Sequence, residues 1–450
     1  MNENLIYVYI VSLGCSKNFV DTEVMAASLL THEIGITDDP SEASVFLINT
    51  CAFILPAREE AEDHINEALE WKQEDPENCK IIISGCLTQW DKKNVYADKF
   101  KEVDLWLGID QLTLLPEKIA ALYSNKKIAK KSITNYKPKY LYDDKTPRFQ
   151  LTPSHYANIK ISEGCDNLCA YCSIPSIRGS LRSRSQQSII TEAKSLLAND
   201  VKELLIIAQD TTAFNRDSAK IDSNLITLLI ELDKIQGNHW IRLHYLHPRG
   251  FSEKLISVLS NSKHIIPYFD IPIQHISDNI LKDMNRKISS LEIKNILSEL
   301  KKKIPNAVIR TTFLVGFPGE TEENFQELAD FVKEWKFERL GVFPFYLEEN
   351  TAAATLKNHV PSEVAQKRAD TIYAIHKTNS LKFNKKLIGK EFDVLVDSID
   401  DQFAVGRTYM DSPDIDNIVT IPINKNIIEG SFIKVKITDC SEYELNGEII

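Results

Sequence analysis

Three stretches in the first hundred residues each run as a short apolar strand into a cysteine: SLGC at Cys15, INTC at Cys51 and SGC at Cys86. From 15 to 51 and from 51 to 86 the steps are 36 and 35 residues, the length of one strand–helix–strand unit. The cysteines therefore fall at equivalent places on successive parallel strands. Parallel strands end on one edge of their sheet, and open α/β sheets bind ligands outside that edge. One cysteine at a strand end is commonly a small packing residue; three in register point to three converging thiols. The runs LIYVYIVSL, SVFLIN and CKIIIS read as buried parallel strands. PAREEAEDHINEALEW reads as a helix with Pro56 and acidic residues in its first turn. An α/β domain is expected over residues 5–121. Cys79 begins a strand and reads as packing. SLGCSKN lacks the GxxxxGK[ST] pattern, so nucleoside triphosphate binding is not expected.

A second trio stands in ISEGCDNLCAYCSIPSIRGSLRSR, where Cys165, Cys169 and Cys172 form CxxxCxxC. Three thiolates this close can hold three irons of a cuboidal cluster and leave the fourth open. Zinc also favours sulfur, but the nearest downstream histidine, His239, is far outside zinc-site spacing. An open iron can chelate the amino and carboxylate groups of S-adenosylmethionine, whose reductive cleavage yields an adenosyl radical. Such a radical serves where the target C–H bond is too weakly acidic for His, Glu or Lys. A cluster on the first trio would relay electrons or deliver sulfur, and spacing does not choose between the two.

Residues 122–150, with Lys126, Lys127, Lys130, Lys131, Lys137, Lys139 and Pro147, read as a linker. Beyond it, YANIKIS, ELLIIA, WIRLHYL, IIPYFDIPI, AVIRTTFLV and ERLGVFPFY alternate with amphipathic stretches. Six such units predict a partial (βα)6 barrel over residues 151–382, with the CxxxCxxC loop after its first strand, at the catalytic end. At that end stand Gln209 and Asp210, Gln274 and His275, and the GFPGE turn from Gly316 to Glu320. Gln209, Asp210, Gln274 and Gly316 are the expected S-adenosylmethionine pocket, the glycine allowing close approach of the ligand. Arg178, Arg182 and Arg184 could clamp a carboxylate or phosphate, or stand in solvent. Over residues 385–450 five short strands with Gly and Asp turns predict a small OB-like β-barrel. Cys440 within it reads as structural.

Charge and cysteine usage bound the partners. The 450 residues carry a net charge of −11, which disfavours a generic nucleic-acid binder. The barrel segment 385–450 holds seven Lys and Arg against thirteen Asp and Glu, so a basic protein suits it better than a phosphate backbone. Eight cysteines are too few for a disulfide scaffold in a chain this long. No leader pattern and no membrane-length apolar run appear, and a soluble cytoplasmic protein without a membrane partner is expected.

The CxxxCxxC loop, SLGCSKNFVDTE, INTCAF, SGC and the C-terminal barrel together resemble the methylthiotransferase branch of the radical S-adenosylmethionine enzymes, over nearly the whole chain. That resemblance implies a methylthiotransferase N-terminal domain, a radical core and a TRAM barrel. It implies that Cys165, Cys169 and Cys172 bind a 4Fe-4S cluster that cleaves S-adenosylmethionine, and that Cys15, Cys51 and Cys86 bind an auxiliary 4Fe-4S cluster that delivers the methylthio group. SEGC, IPSIRGSLRSR, IAQDTT, DIPIQH and GRTYMDSPDID are similar to the branch that modifies a ribosomal protein, although AFNRD and FPFYLEENTAA depart from its usual loops. The implied product is a 3-methylthio-aspartate on small-subunit ribosomal protein S-twelve, free or in the ribosome, with a reductant protein as second partner. The alternatives are the sister branch that methylthiolates a tRNA adenosine, disfavoured by the acidic barrel, and a non-catalytic metal-binding module that docks on the ribosome.

Overall fold

A computed structural model describes residues 5–124, 132–218, 224–423 and 427–450. Lys126, Lys127, Lys130 and Lys131 of the expected linker, and Lys425 of the barrel, lie outside the described residues. The chain forms two compact units. One runs to Leu151 and takes in Ser162–Leu168 and Cys172–Arg184; the other comprises Thr152–Ile161, Cys169–Tyr171 and Ser185–Ile450.

In the first unit the strands β1 (Tyr7–Ser12), β2 (Gly35–Thr37), β3 (Val45–Thr50), β4 (Lys80–Gly85), β5 (Leu105–Leu107) and β6 (Ser132–Ile133) form one sheet in the order β2-β1-β3-β4-β5-β6. Every pairing is parallel. Successive side chains point to opposite faces, and the two cores follow from that. Phe46, Ile48, Ile81, Ile83 and Trp106 pack with Ala61, Ile65 and Ala68 of the helix Leu55–Lys72. Val45, Leu47, Ile82, Leu105 and Leu107 pack with Met25 and Leu29 of the helix Ser16–Leu30 and with Leu112, Leu115 and Ile119. The two- and three-residue strands β2, β5 and β6 are too short to show a period in sequence.

The described part of the expected linker is tied to this sheet. Lys139 and Tyr140 donate their backbone N–H groups to Asp110 Oδ1, both at 2.8 Å. Further on, Arg148 Nε and the Leu151 N–H donate to Glu23, at 2.7 and 2.9 Å. Glu23 lies on the buried helix Ser16–Leu30, so a long-range carboxylate pins a segment that composition alone marks as loose.

The second unit holds six parallel strands, β7 (Tyr156–Lys160), β8 (Glu203–Ile207), β9 (Trp240–Leu243), β10 (Ile265–Asp270), β11 (Val308–Val315) and β12 (Arg339–Pro344). They pair in chain order to make an open six-stranded sheet. Helices between them bury Leu228, Leu232, Leu259, Leu297, Leu300, Leu328 and Val332 against its outer face. The final strands, Glu391–Ile399, Phe403–Arg407, Ile418–Pro422, Phe432–Cys440 and Glu444–Ile449, close into the expected barrel.

That barrel is locked to the six-stranded sheet by buried ion pairs that composition does not reveal. Arg407 Nη1 donates to Glu203 at 2.6 Å and its Nε to Asp397 at 2.7 Å. Arg339 Nε donates to Asp411 at 2.7 Å, and the Tyr268 hydroxyl to Asp416 at 2.6 Å. Three of the thirteen acidic residues counted in the barrel are therefore engaged inside the unit, and the acidity left on its surface is smaller than the sequence suggests. Asp411→Ala leaves the Arg339 guanidinium buried without its carboxylate, and the expected loss is about 3–5 kcal/mol in urea denaturation. Lys434→Ala removes an exposed pair with Asp393 and is expected to cost less than about 1 kcal/mol.

Candidate metal centres and pocket

Cys15, Cys51 and Cys86 follow the carboxyl ends of β1, β3 and β4, three neighbouring parallel strands. Asn18 ties two of these ends together. Its Nδ2 donates to the Leu13 carbonyl at 2.7 Å and to the Asn49 and Thr50 carbonyls at 3.3 Å, while Asn49 Nδ2 returns a bond to the Asn18 carbonyl at 2.8 Å. Gly14, at φ +89°, brings β1's end against Cys51: a side chain there would place its Cβ 2.7 Å from Cys51 Cβ and 3.0 Å from its Sγ. Only glycine fits that contact and that backbone angle.

The thiols of this trio differ in character. Desolvation by the surrounding chain acts to raise Cys15, whose surface is exposed, but the charges of Lys17 and Arg178 and the N–H groups of Asn18 and Lys17 outweigh it and leave it lowered. Burial, with the neighbouring charges of Cys86 and Cys15, pushes Cys51 up to about 12. Burial raises Cys86 as well. Three thiolates in one small volume oppose each other's ionisation, and a bound cationic centre removes that opposition. Among the described residues no three His, Cys, Asp or Glu side chains are gathered for a single metal ion. A cuboidal cluster asks for something different, one thiolate on each of three irons. The strand-end trio, with a guanidinium donating to sulfur, fits that donor set. Cys79 is buried at the start of β4, and Cys440 ends the fourth strand of the barrel.

Around Cys165 and Cys172 the chain is held within the first unit. Cys165 N–H donates to the Gly179 carbonyl at 3.1 Å, and Leu181 N–H to Asp166 at 3.0 Å. A two-residue ladder pairs Ser162–Glu163 with Arg182–Ser183. Ser173 Oγ donates to the Phe53 carbonyl, two residues past Cys51, at 3.3 Å. The three arginines of this loop do not stand in solvent as sequence allowed. Arg178 meets Asp21 and Glu163, Arg184 lies 4.1 Å over the Tyr142 ring, and Arg182 donates to the carbonyls of Arg178 and Ser180.

Cys169 belongs to the second unit, and Arg286 is its neighbour there. Arg286 is buried, and its Nη1 donates to Cys169 Sγ and the Tyr171 hydroxyl, each at 3.4 Å, while Nη2 donates to the Pro272 carbonyl at 2.6 Å. Burial would lower its pKa, but Tyr171, Cys169 and Asp210 hold it raised. Arg286 thus joins the segment after β10 to Cys169. Sequence reasoning missed it, because a lone arginine in MNRK carries no pattern.

The expected pocket residues take distinct places at the same strand ends. Asp210 is buried and accepts from Thr212 N–H at 2.9 Å and Thr212 Oγ1 at 2.6 Å. Gln209 and Gln274 are half-buried. Gln274, at φ +76°, bonds through its backbone to Thr312 and Leu314 of β11. Gly316, at φ +77°, stands against Ala365: a side chain there would lie 2.2 Å from Ala365 Cβ. The turn it opens is held by Glu320, which accepts from the Gly316 N–H at 2.7 Å and from Arg368 Nη1 at 2.8 Å. Burial nevertheless raises the Glu320 carboxyl to about 7. Ser277 N–H donates to His275 Nδ1 at 3.0 Å, which places the ring proton on Nε2, 3.8 Å from Glu320. Burial lowers His275 to about 3, so the ring stays neutral.

Comparison with known proteins gives this arrangement a class. Residues 159–332 match the radical SAM superfamily, 7–108 the uncharacterized protein family UPF0004 and 388–450 the TRAM domain. The chain is a radical S-adenosylmethionine enzyme, and S-adenosylmethionine and an iron–sulfur cluster are its cofactors. It is 40% identical over 445 residues to the ribosomal protein uS12 methylthiotransferase RimO of Dictyoglomus thermophilum, covering 98% of this chain and 99% of that one. With the RimO of Clostridioides difficile it shares 41% identity over 441 residues, 98% of each. The chain belongs to the RimO family of methylthiotransferases. Among solved structures, the radical S-adenosylmethionine methyltransferase TsrM from Kitasatospora setae, with cobalamin and a [4Fe-4S] cluster bound, aligns with a TM-score of 0.57 at 12% identity over 78% of this chain and 77% of that one. The cobalamin-dependent radical enzyme OxsB aligns with a TM-score of 0.53 at 10% identity, over 82% and 56%. Both likenesses concern the fold. No helix among the described residues is long and apolar enough to cross a membrane.

The raised Glu320 carboxyl has a consequence for stability. Below about 4.5 it is protonated both folded and unfolded; from there to about 7 the unfolded chain ionises first, so folding loses stability as the pH rises. Glu320→Gln cannot ionise, and urea midpoints measured across that range are expected to lose this part of their slope.

Proposed function

We propose that this enzyme inserts a methylthio group at the β-carbon of an aspartate of ribosomal protein S-twelve, using two 4Fe-4S clusters. Cys165, Cys169 and Cys172 would hold the cluster that binds S-adenosylmethionine, and Cys15, Cys51 and Cys86 the auxiliary cluster. The observation that carries this reading is the placing of Cys15, Cys51 and Cys86 at three adjacent strand ends, in a chain that also has CxxxCxxC. The substrate follows from the relatives, whose names specify ribosomal protein uS12 over the full length of the match.

When bound, these groups supply an adenosyl radical able to take hydrogen from an unactivated carbon, and the sulfur that replaces it. The protein's own residues do the rest. Arg286 lies against Cys169, where a cation counters the charge that thiolates bring to a cluster. Glu320 and Arg368 fix the GFPGE turn, and Asp210 fixes the end of β8, so the strand ends of the proposed pocket of Gln209, Asp210, Gln274 and Gly316 are rigid. The exposed Asp393, Asp400, Asp401 and Glu448 keep part of the barrel's surface acidic, which favours encounter with a basic ribosomal protein over tRNA. A separate reductant protein supplies electrons, and the cytoplasm is the compartment where such a substrate is met.

Anaerobically reconstituted Cys169→Ala is expected to form no 5′-deoxyadenosine. Cys51→Ala is expected to keep some cleavage yet give no methylthio-aspartate by mass spectrometry of S-twelve. Full methylthiolation by Cys51→Ala would sink the auxiliary assignment, and modification of tRNA alone by the wild-type enzyme would sink the substrate.

A further inference from the structure

Arg178 ends the short helix Ile174–Arg178, six residues after Cys172, and is 2% exposed. All its side-chain partners named here lie in its own unit. Nη1 donates to Asp21 Oδ2 at 2.6 Å and to Glu163 Oε2 at 3.2 Å; Nη2 donates to Asn18 Oδ1 at 2.9 Å and to Cys86 Sγ at 3.2 Å. One planar fork therefore splits its work, with one nitrogen on two carboxylates and the other on the amide that ties the strand ends and on a thiol of the trio. An ammonium could not reach both sides at once, because a point charge on a flexible stem lacks the fork. Two buried carboxylates for one cation is more acid than neutrality of the arginine requires. The surplus has a geometric effect: Asp21 and Glu163 hold one edge of the guanidinium, so the other edge is aimed at Cys86.

Hydrogen bonds to the sulfurs and the local net charge set the reduction potential of an iron–sulfur cluster. Groups behind the ligands orient them as well. A buried cation donating to a ligand sulfur favours the reduced, more negative state, and low polarity around it strengthens the effect. Glu163 also stands two residues before Cys165, in the ladder with Arg182. The arginine thereby joins the strand entering the CxxxCxxC loop to the other trio's Cys86.

We propose that Arg178 is a positioning residue for the auxiliary cluster: its guanidinium, aimed by Asp21 and Glu163, donates to the Cys86 sulfur and raises the potential at which that cluster is reduced. This rests on the reading that Cys15, Cys51 and Cys86 hold a cluster. The test uses the full chain carrying Cys165→Ala, Cys169→Ala and Cys172→Ala, reconstituted anaerobically with iron and sulfide, so that one trio remains. Arg178→Met alone would strand two buried carboxylates, so it is combined with Asp21→Asn and Glu163→Gln. Arg178→Lys is the second variant, retaining charge without the fork.

Iron analysis and a potentiometric titration followed by electron paramagnetic resonance are the readouts. The expected result is iron at the level of the background protein and, relative to the Asp21→Asn, Glu163→Gln protein that keeps Arg178, a reduction equilibrium at least tenfold less favourable once Arg178→Met is added, about 59 mV more negative for one electron. Arg178→Lys is expected to shift in the same direction by less. Unchanged potentials in both variants at full iron content would overturn the role of Arg178 and leave the cluster assignment standing. A background protein that takes up no iron would overturn the assignment itself, and the proposal with it.

Discussion

Thiolates repel one another, and a protein that gathers three of them needs a scaffold that brings them to one place without relying on their attraction. A parallel sheet does this through backbone hydrogen bonding alone. All its strands end on one edge, so a cysteine just past the end of β1, β3 and β4 arrives beside the other two whatever its charge. The local refinements follow from that edge. Gly14 lets one strand end approach Cys51 closely, and Asn18 bridges carbonyls of both strand ends. Arg178 supplies the nearby positive charge.

The second unit solves a different problem. A small barrel at the end of a chain needs a fixed seat if it is to present a partner reproducibly to a catalytic domain. Here the seat is polar. Arg407, Arg339 and Tyr268 engage Glu203, Asp397, Asp411 and Asp416, and the segment Arg407–Asp416 is spent largely on these bonds. Buried pairs of this kind add little net stability compared with apolar contact, but they penalise any shifted alignment, because each shift strands a charge. The same bonds consume acidic residues that a charge count assigns to the surface.

Much of the architecture was legible because it rests on long, strongly patterned segments. All six strands of the central sheet fall within, and all five of the barrel overlap, the runs that the sequence marks as strands. The strands that escaped notice, Gly35–Thr37, Leu105–Leu107 and Ser132–Ile133, span less than two periods and carry no signal. The cysteine trios were legible for the same reason, as spacings. Arg286, Glu320 and the partners of Arg178 were not, because each matters through a contact made across tens or hundreds of residues. The same holds for Asn18, Asp21 and Glu23. In SKNFVDTE they stand among other polar residues, and it is their burial in the structure that marks them as a network.

By itself, the sequence determined the three structural blocks, the two cysteine trios and the βα rhythm that sets one trio at strand ends, since these depend on local pattern and on chain-order pairing. Tertiary structure alone decided what surrounds the thiols and what the charges do. It turned an arginine loop that sequence left open between clamp and solvent into ties within its own unit, set Gly316 against Ala365 and bound the described part of a segment read as linker to the first sheet. It also set three carboxylates of the acidic barrel inside the second unit. The physical reason is that burial and partnership, which fix a side chain's charge and reach, are properties of contacts between residues distant in the chain.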